Sequence, residues 1–231
     1  MNGLATTGLG AELLDDPDAD PAIVRRSLGH ITRANRWFGG SAAFKFGLGR
    51  VLAGLPPGRT LSIFDVGTGA GDLPMAGAAW ARTRGFTLRP LGLDRSYPAA
   101  HLARENGVMA IVGCAGTLPL KDRSVDIVLV SQVIHHLQQD AAVRLILECN
   151  RVARTGVIVS DLERARLAMA GFWIGSRLLN FDQTTRIDGI TSVRRGYSPG
   201  EFRDLFARAG MPAQTWRRPA FRLLAVWRPT G

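Results

Sequence analysis

Two adjacent histidines, His135 and His136, directly follow the apolar run 127–131, and they are two of only four histidines in the chain. Imidazole is the natural proton acceptor near neutral pH. Neighbours on a helix point about 100° apart, so one of the pair is expected to face a reactant, and His135 is preferred. Asp161, near the end of a second apolar run, 156–162, is the other candidate for acid–base work. A third group is the stretch 63–73, in which Asp65, Gly67, Thr68, Gly69, Gly71 and Asp72 crowd into eight positions. Alternating glycines permit positive φ and let a ligand approach bare backbone. A dinucleotide fingerprint would need G-x-G-x-x-G. Here Asp72 holds the sixth position and the third glycine falls one residue early.

These groups need elements to hold them. Leu61 to Val66 reads as a buried strand stopped by glycine, and the Ala-rich segment 73–82 as the helix after the turn. The run 87–94 is a second strand that ends on Asp94, 23 residues after Gly71. A carboxylate there accepts the hydroxyls of a ribose in a doubly wound sheet. Further strands are expected at 108–112, 127–131 and 156–162, with helices at 98–106 and 140–152 between them. Ligands of such sheets sit beyond the carboxyl ends of the strands, so the loop carrying His135 and His136 must flank the site. Ser198, Pro199 and Glu201 form a capping box that opens a late helix, and 215–227 reads as a terminal hairpin.

The pattern D-x-G-x-G-x-G at 65–71 resembles the cofactor motif of class I S-adenosylmethionine (SAM) methyltransferases. SAM carries an amino-acid end and a sulfonium cation and no diphosphate, which suits Asp65 and Asp72 beside the turn. The stretch 113–126 resembles that family's G-D-A-x-x-L-P-F-x-D-x-S-F-D, with Cys114 where the adenine-binding Asp stands, so backbone at Ala115 is expected to serve. Ser131 to Leu137 resembles the S-x-V-L-H-H-L segment of the small-molecule methyltransferases. The N/D-P-P-Y/F segment of enzymes that methylate nucleic-acid bases is absent. The resemblance implies an α/β, Rossmann-like, doubly wound seven-stranded sheet. It implies SAM as cofactor, held by Asp65, Gly67, Thr68, Gly69, Gly71, Asp72, Asp94, Arg95, Cys114, Ala115, Ser131 and Gln132. It also implies an N-terminal helical cap at 21–58, with Asn35, Arg36 and Trp37 facing the ligand, and a lid insertion at 163–197. In that lid Phe172 belongs to an apolar helix, and Arg194 and Tyr197 to a polar loop after it. An apolar lid implies a hydrophobic, phenolic or quinone-like small-molecule acceptor methylated on O or C. A peripheral membrane contact through the same apolar stretch is a further expectation. The alternatives are an NAD-dependent oxidoreductase and a non-catalytic SAM-binding partner protein.

The composition agrees with a single soluble domain at 21–231. Of 231 residues 46% are hydrophobic and 21% charged, and no apolar run approaches the ~18 residues of a membrane span. Residues 1–20, acidic and Gly-rich, are expected to lack order and do not read as a secretory signal. Two cysteines, Cys114 and Cys149, imply no disulfide framework and no metal site. A cytoplasmic location is the default. The net charge of +10 raises nucleic-acid binding. The charge is nearly all Arg, with Lys45 and Lys121 the only lysines, and it is scattered, so no specific nucleic-acid partner is expected.

Overall fold

The computed structural model describes residues 19–229. Most of the segment expected to lack order lies outside the described residues. The apolar runs fold into one sheet of β1 (Thr60–Val66), β2 (Thr87–Asp94), β3 (Met109–Val112), β4 (Val125–Ser131), β5 (Ala153–Leu162), β6 (Gln214–Arg218) and β7 (Arg222–Trp227). Their order is β3-β2-β1-β4-β5-β7-β6. β1 to β5 are parallel, and β7 enters antiparallel between β5 and β6.

Alternation along the strands decides what covers each face. Ile63, Ile127, Leu129 and Ile158 meet α2 (Gly40–Leu52) and α3 (Asp72–Arg82) on one side. Phe64, Val128, Val130 and Val157 meet α5 (Gln139–Val152) and α8 (Pro199–Arg208) on the other. Both faces are buried, as continuous apolar runs in a parallel sheet require. The chain winds outward from β1 through β2 to β3, then returns to lay β4 on the other side of β1. That reversal opens a crevice beyond the carboxyl ends of β1 and β4. The glycine turn and the histidine pair both lie there.

Two expectations about the flanking pieces change. The N-terminal segment is helical as expected, but only α1 (Pro21–Trp37), whose first turn is capped by Asp20, lies over the crevice. α2 is a core helix: Phe44, Leu48 and Val51 fill the space above Ile63 and Ile158. The segment 163–197 contains α6 (Arg166–Leu178), but the expected polar loop after it is a second helix, α7 (Gln183–Arg195). Asp182 caps α7 by accepting from the Thr185 N–H at 2.8 Å. Its mostly polar surface hid it from a reading based on apolar periodicity. α4 (Tyr97–Glu105) follows β2, and between β4 and α5 the chain makes a single 3-10 turn at Ile134–His136.

Candidate active site

The crevice is a cavity of about 650 Å³. One half is acidic. Gly67 adopts φ 75°, and a Cβ there would meet Val133 at 2.5 Å, so the turn passes β4's loop only as glycine. Asp94 ends β2 and accepts from the Gly69 N–H at 2.8 Å and the Ser96 N–H at 2.9 Å. It thereby ties the glycine turn to the next strand, and its remaining lone pairs stay available. Asp65 is buried beside Thr68, and its Oδ1 has no protein partner. Asn35 of α1 donates to Asp72 at 3.0 Å and accepts from Gln132 at 2.7 Å, which links the two banks of the crevice. Burial pushes the Asp65 carboxyl well above its ordinary range, and those of Asp72 and Asp94 upward. Three desolvated carboxyls and an unpartnered carboxylate oxygen on one wall fit a ligand that brings a cation and hydroxyl donors.

The histidines lie across the cavity from this wall. His135 is buried, with Nδ1 2.6 Å from Asp161 Oδ1. The same Asp161 oxygen accepts from the Leu162 N–H at 2.7 Å. Burial alone would raise the Asp161 carboxyl, but the charge and hydrogen bond of His135 outweigh it and hold it below its ordinary range. An ionised Asp161 makes Nδ1 the protonated nitrogen of His135. Nε2 is then a free lone pair, and it has no protein partner. Tyr197 donates to the Ile134 carbonyl at 2.9 Å and so fixes the 3-10 turn that aims the ring. The two imidazoles do not diverge as helical neighbours would. Their centroids are 4.2 Å apart and both line the cavity, because a single 3-10 turn replaces the α-helix. His136 Nδ1 lies 3.3 Å from Nη1 of Arg195, which donates to it.

The remaining wall is largely apolar. Leu28 and Ile31 of α1, Phe172 and Phe181 of the lid, and Leu162 and Val193 line it. His30 fastens lid to cap: it stacks on Phe181 at 4.9 Å, and its Nδ1 lies 3.0 Å from the Thr185 hydroxyl.

Residues 64–160 match the family described as Methyltransferase domain. The chain carries a methyltransferase domain. No curated relative matches it. Among solved structures it is similar to the plantazolicin methyltransferase BpumL in complex with SAH, at 15% identity and a TM-score of 0.66, over 93% of this chain and 92% of that one. It is also similar to a SAM-dependent methyltransferase from Aquifex aeolicus (17% identity, 90% and 97% covered, TM-score 0.55). The complex of the Haloferax volcanii Trm112 methyltransferase activator with its methyltransferase is another (17% identity, 91% and 97% covered, TM-score 0.61). At these identities the likeness is one of fold, and the fold is that of the SAM-dependent methyltransferases. The antiparallel β7 also departs from the 3-2-1-4-5-6 order of the dinucleotide-binding fold.

In this methyltransferase the cavity is lined by Asp65, Gly67, Thr68, Gly69, Asp72, Asp94, Arg95, Cys114, Ala115, Ser131, Gln132, His135, His136 and Phe172. Gly71, outside that lining, turns the chain into α3 at φ 76°. Asp161 stands behind His135. Four expected substrate residues do not line the cavity. Arg36 is exposed, and Trp37 is 64% exposed at the end of α1, because the turn of α1 that faces inward carries Asn35 instead. Arg194 points to solvent, and its neighbour Arg195 takes the buried position. Tyr197 supports the turn and does not reach the acceptor; burial pushes its phenol far up, so it holds its proton. Arg222, at the start of β7, lines the cavity and had no motif to announce it. An arginine opening the otherwise apolar segment Arg222–Trp227 is the one signal that could have marked it.

Proposed function

We propose that the chain transfers a methyl group from SAM to an oxygen or carbon of a small hydrophobic, phenolic or quinone-like acceptor. The observation that carries this is the buried His135–Asp161 pair: His135 has no protein partner on Nε2 and lines a cavity with acids on one wall and apolar residues on another. Asp94 would take the ribose hydroxyls, Asp65 and Asp72 the charged amino-acid end, and backbone at Ala115 the adenine. When bound, SAM supplies an electrophilic methyl on a sulfonium that is already a good leaving group. The protein's first task is alignment, which is worth ~7–11 kcal/mol. Its second is the proton. His135 Nε2 accepts it from the acceptor's hydroxyl, and Asp161 stabilises the imidazolium and holds the ring in the productive tautomer. Phe172, Phe181 and Leu162 exclude water, which strengthens both charge terms. Cys114, an exposed free thiol at the rim, suits a reducing cytoplasmic setting.

The acid wall predicts a pH dependence. A cationic ligand needs these carboxyls ionised, and burial makes them take up protons above the pH at which an ordinary carboxylate does. SAM affinity should therefore fall on acidification, starting above the ordinary carboxylate range. Calorimetric titration at pH values between about 8 and 5 reads this. A flat profile would remove the acids from the binding role. Turnover of radiolabelled SAM with a panel of phenols and quinols tests the reaction itself. SAM binding without turnover of any of them, and with no effect of His135 substitution, would favour the non-catalytic reading.

The lid's outer surface supports a peripheral contact with an anionic bilayer. Leu167, Gly171, Ile174 and Leu178 form one stripe along α6 (i, i+4, i+7, i+11), with Leu167 73% and Leu178 81% exposed. Arg166, Trp173 and Arg177 flank it, the Arg177 guanidinium lying 3.6 Å over the Trp173 ring, and α6 carries no acid. Such a helix buries its stripe at the headgroup boundary and sets its arginines on lipid phosphates. Each of these side chains is worth ~1.5–3 kcal/mol when buried. Ile174→Glu with Leu178→Glu should therefore cut sedimentation with phosphatidylglycerol vesicles more than tenfold and leave SAM affinity unchanged. Equal sedimentation of the variant overturns the contact. No helix among the described residues is long and apolar enough to cross a membrane.

A further inference from the structure

Arg222 is only 3% exposed, yet it lines the acceptor half of the cavity. It pairs across the sheet with Leu162, next to Asp161. Its Nε donates to the Phe38 carbonyl at 2.9 Å, and its Nη1 is buried without any partner. Among the described residues, no carboxylate comes within 4.0 Å of the guanidinium. Asp161 is the acid it feels, but Asp161 Oδ1 is spent on His135 and Leu162. Burial lowers the guanidinium to about 10, so it stays a cation at neutral pH.

A buried, unpaired cation is a costly arrangement, and folded proteins rarely keep one without an anion or a hydrogen-bonding network to meet it. Arg222 has neither on its Nη1 side, and its side chain lines the cavity. A guanidinium presents a planar fork that matches a carboxylate. Charge is also divided along the cavity. Asp65, Asp72 and Asp94 occupy the cofactor wall, while Arg222 and His136 also line the cavity, with Arg195 donating to His136 from outside the lining, and Asp188 of α7 reaches the cavity too.

We propose that Arg222 is an anion subsite and that the methyl acceptor is an apolar or aromatic body bearing a carboxylate. The proposal rests on reading the lid-covered half of the cavity as the acceptor site. A carboxylate seated on the guanidinium would orient the body against Phe172 and Leu162 and leave a hydroxyl or carbon elsewhere on it to face His135.

Calorimetric titration of the full chain, saturated with SAH, tests this with 4-hydroxybenzoate and octanoate against their uncharged amides. The acids should bind at least tenfold tighter than the amides. Arg222→Gln keeps a donor toward Phe38 and removes the charge. It should abolish the preference without changing affinity for SAH or for the amides. Acids and amides that bind the wild type alike, or no binding of the acids at all, overturn the proposal. So does a preference that survives in Arg222→Gln. If that variant does not fold, Arg222→Lys replaces it: loss of the fork should weaken acid binding several-fold, and wild-type acid affinity overturns the subsite. The same titrations without SAH separate the two readings. An acid preference that depends on Arg222, in a protein that does not bind SAH, would retain the subsite and overturn only the methyltransferase role.

Discussion

Replacing His135 with asparagine is expected to lower kcat by ~10²–10⁴-fold, the usual worth of a positioned general base, with little change in SAM affinity. Asparagine is the informative substitution. Its amide can still donate to Asp161, whereas alanine would leave a buried carboxylate unpaired and cost ~3–5 kcal/mol of stability. A loss of rate in His135→Asn with an unchanged melting temperature therefore isolates the chemistry. Asp161→Asn should cost a comparable factor by another route. Its amide can donate to Nδ1, which would move the ring proton to Nε2 and remove the lone pair aimed at the acceptor. Wild-type turnover in His135→Asn would move the base elsewhere, with His136 next in line since its ring also reaches the cavity.

The second large effect is on the cofactor. Asp94→Ala removes the acceptor for two hydroxyls and also strands the Gly69 and Ser96 N–H groups that the carboxylate now satisfies. Hydrogen bonds to a charged group are worth ~1.5–3 kcal/mol each. Loss of two from the ligand gives an expected drop in SAM and SAH affinity of ~10²–10⁴-fold. Asp94→Asn should fall between wild type and alanine, because one carbonyl oxygen remains while its NH₂ faces an N–H donor. Calorimetry with SAH reads all three proteins. Undiminished affinity in Asp94→Ala would dismiss the ribose role.

Local chemistry explains what was legible beforehand. Strands β1, β2, β4 and β5 each carry a short apolar run such as Ile127–Val130 or Val157–Val159, so the strands were readable from single segments. The glycine turn was readable because positive φ and close backbone approach leave few residue choices at Gly67 and Gly69. The capping box at Ser198 and Glu201 is a local motif and was equally readable. α7 was not, since its residues are mostly polar and its inward contacts depend on α1 and α6.

The sequence by itself marked the glycine turn and the strand and helix beside it, which follow from residues close in the chain; the winding of the sheet and the cofactor residues were what the resemblance at 65–71, 113–126 and 131–137 implied. The tertiary structure alone decided the rest of the site. His135 and Asp161 are 26 residues apart and meet only because β4 and β5 are paired in register. Asn35 reaches Asp72 and Gln132 from a helix whose rotation is set by packing, the same rotation that turns Arg36 and Trp37 away. Arg222 enters the cavity because β7 runs antiparallel beside β5, which sets it opposite Leu162. Register, helix rotation and strand direction are set by long-range packing, and no local stretch of the chain encodes them.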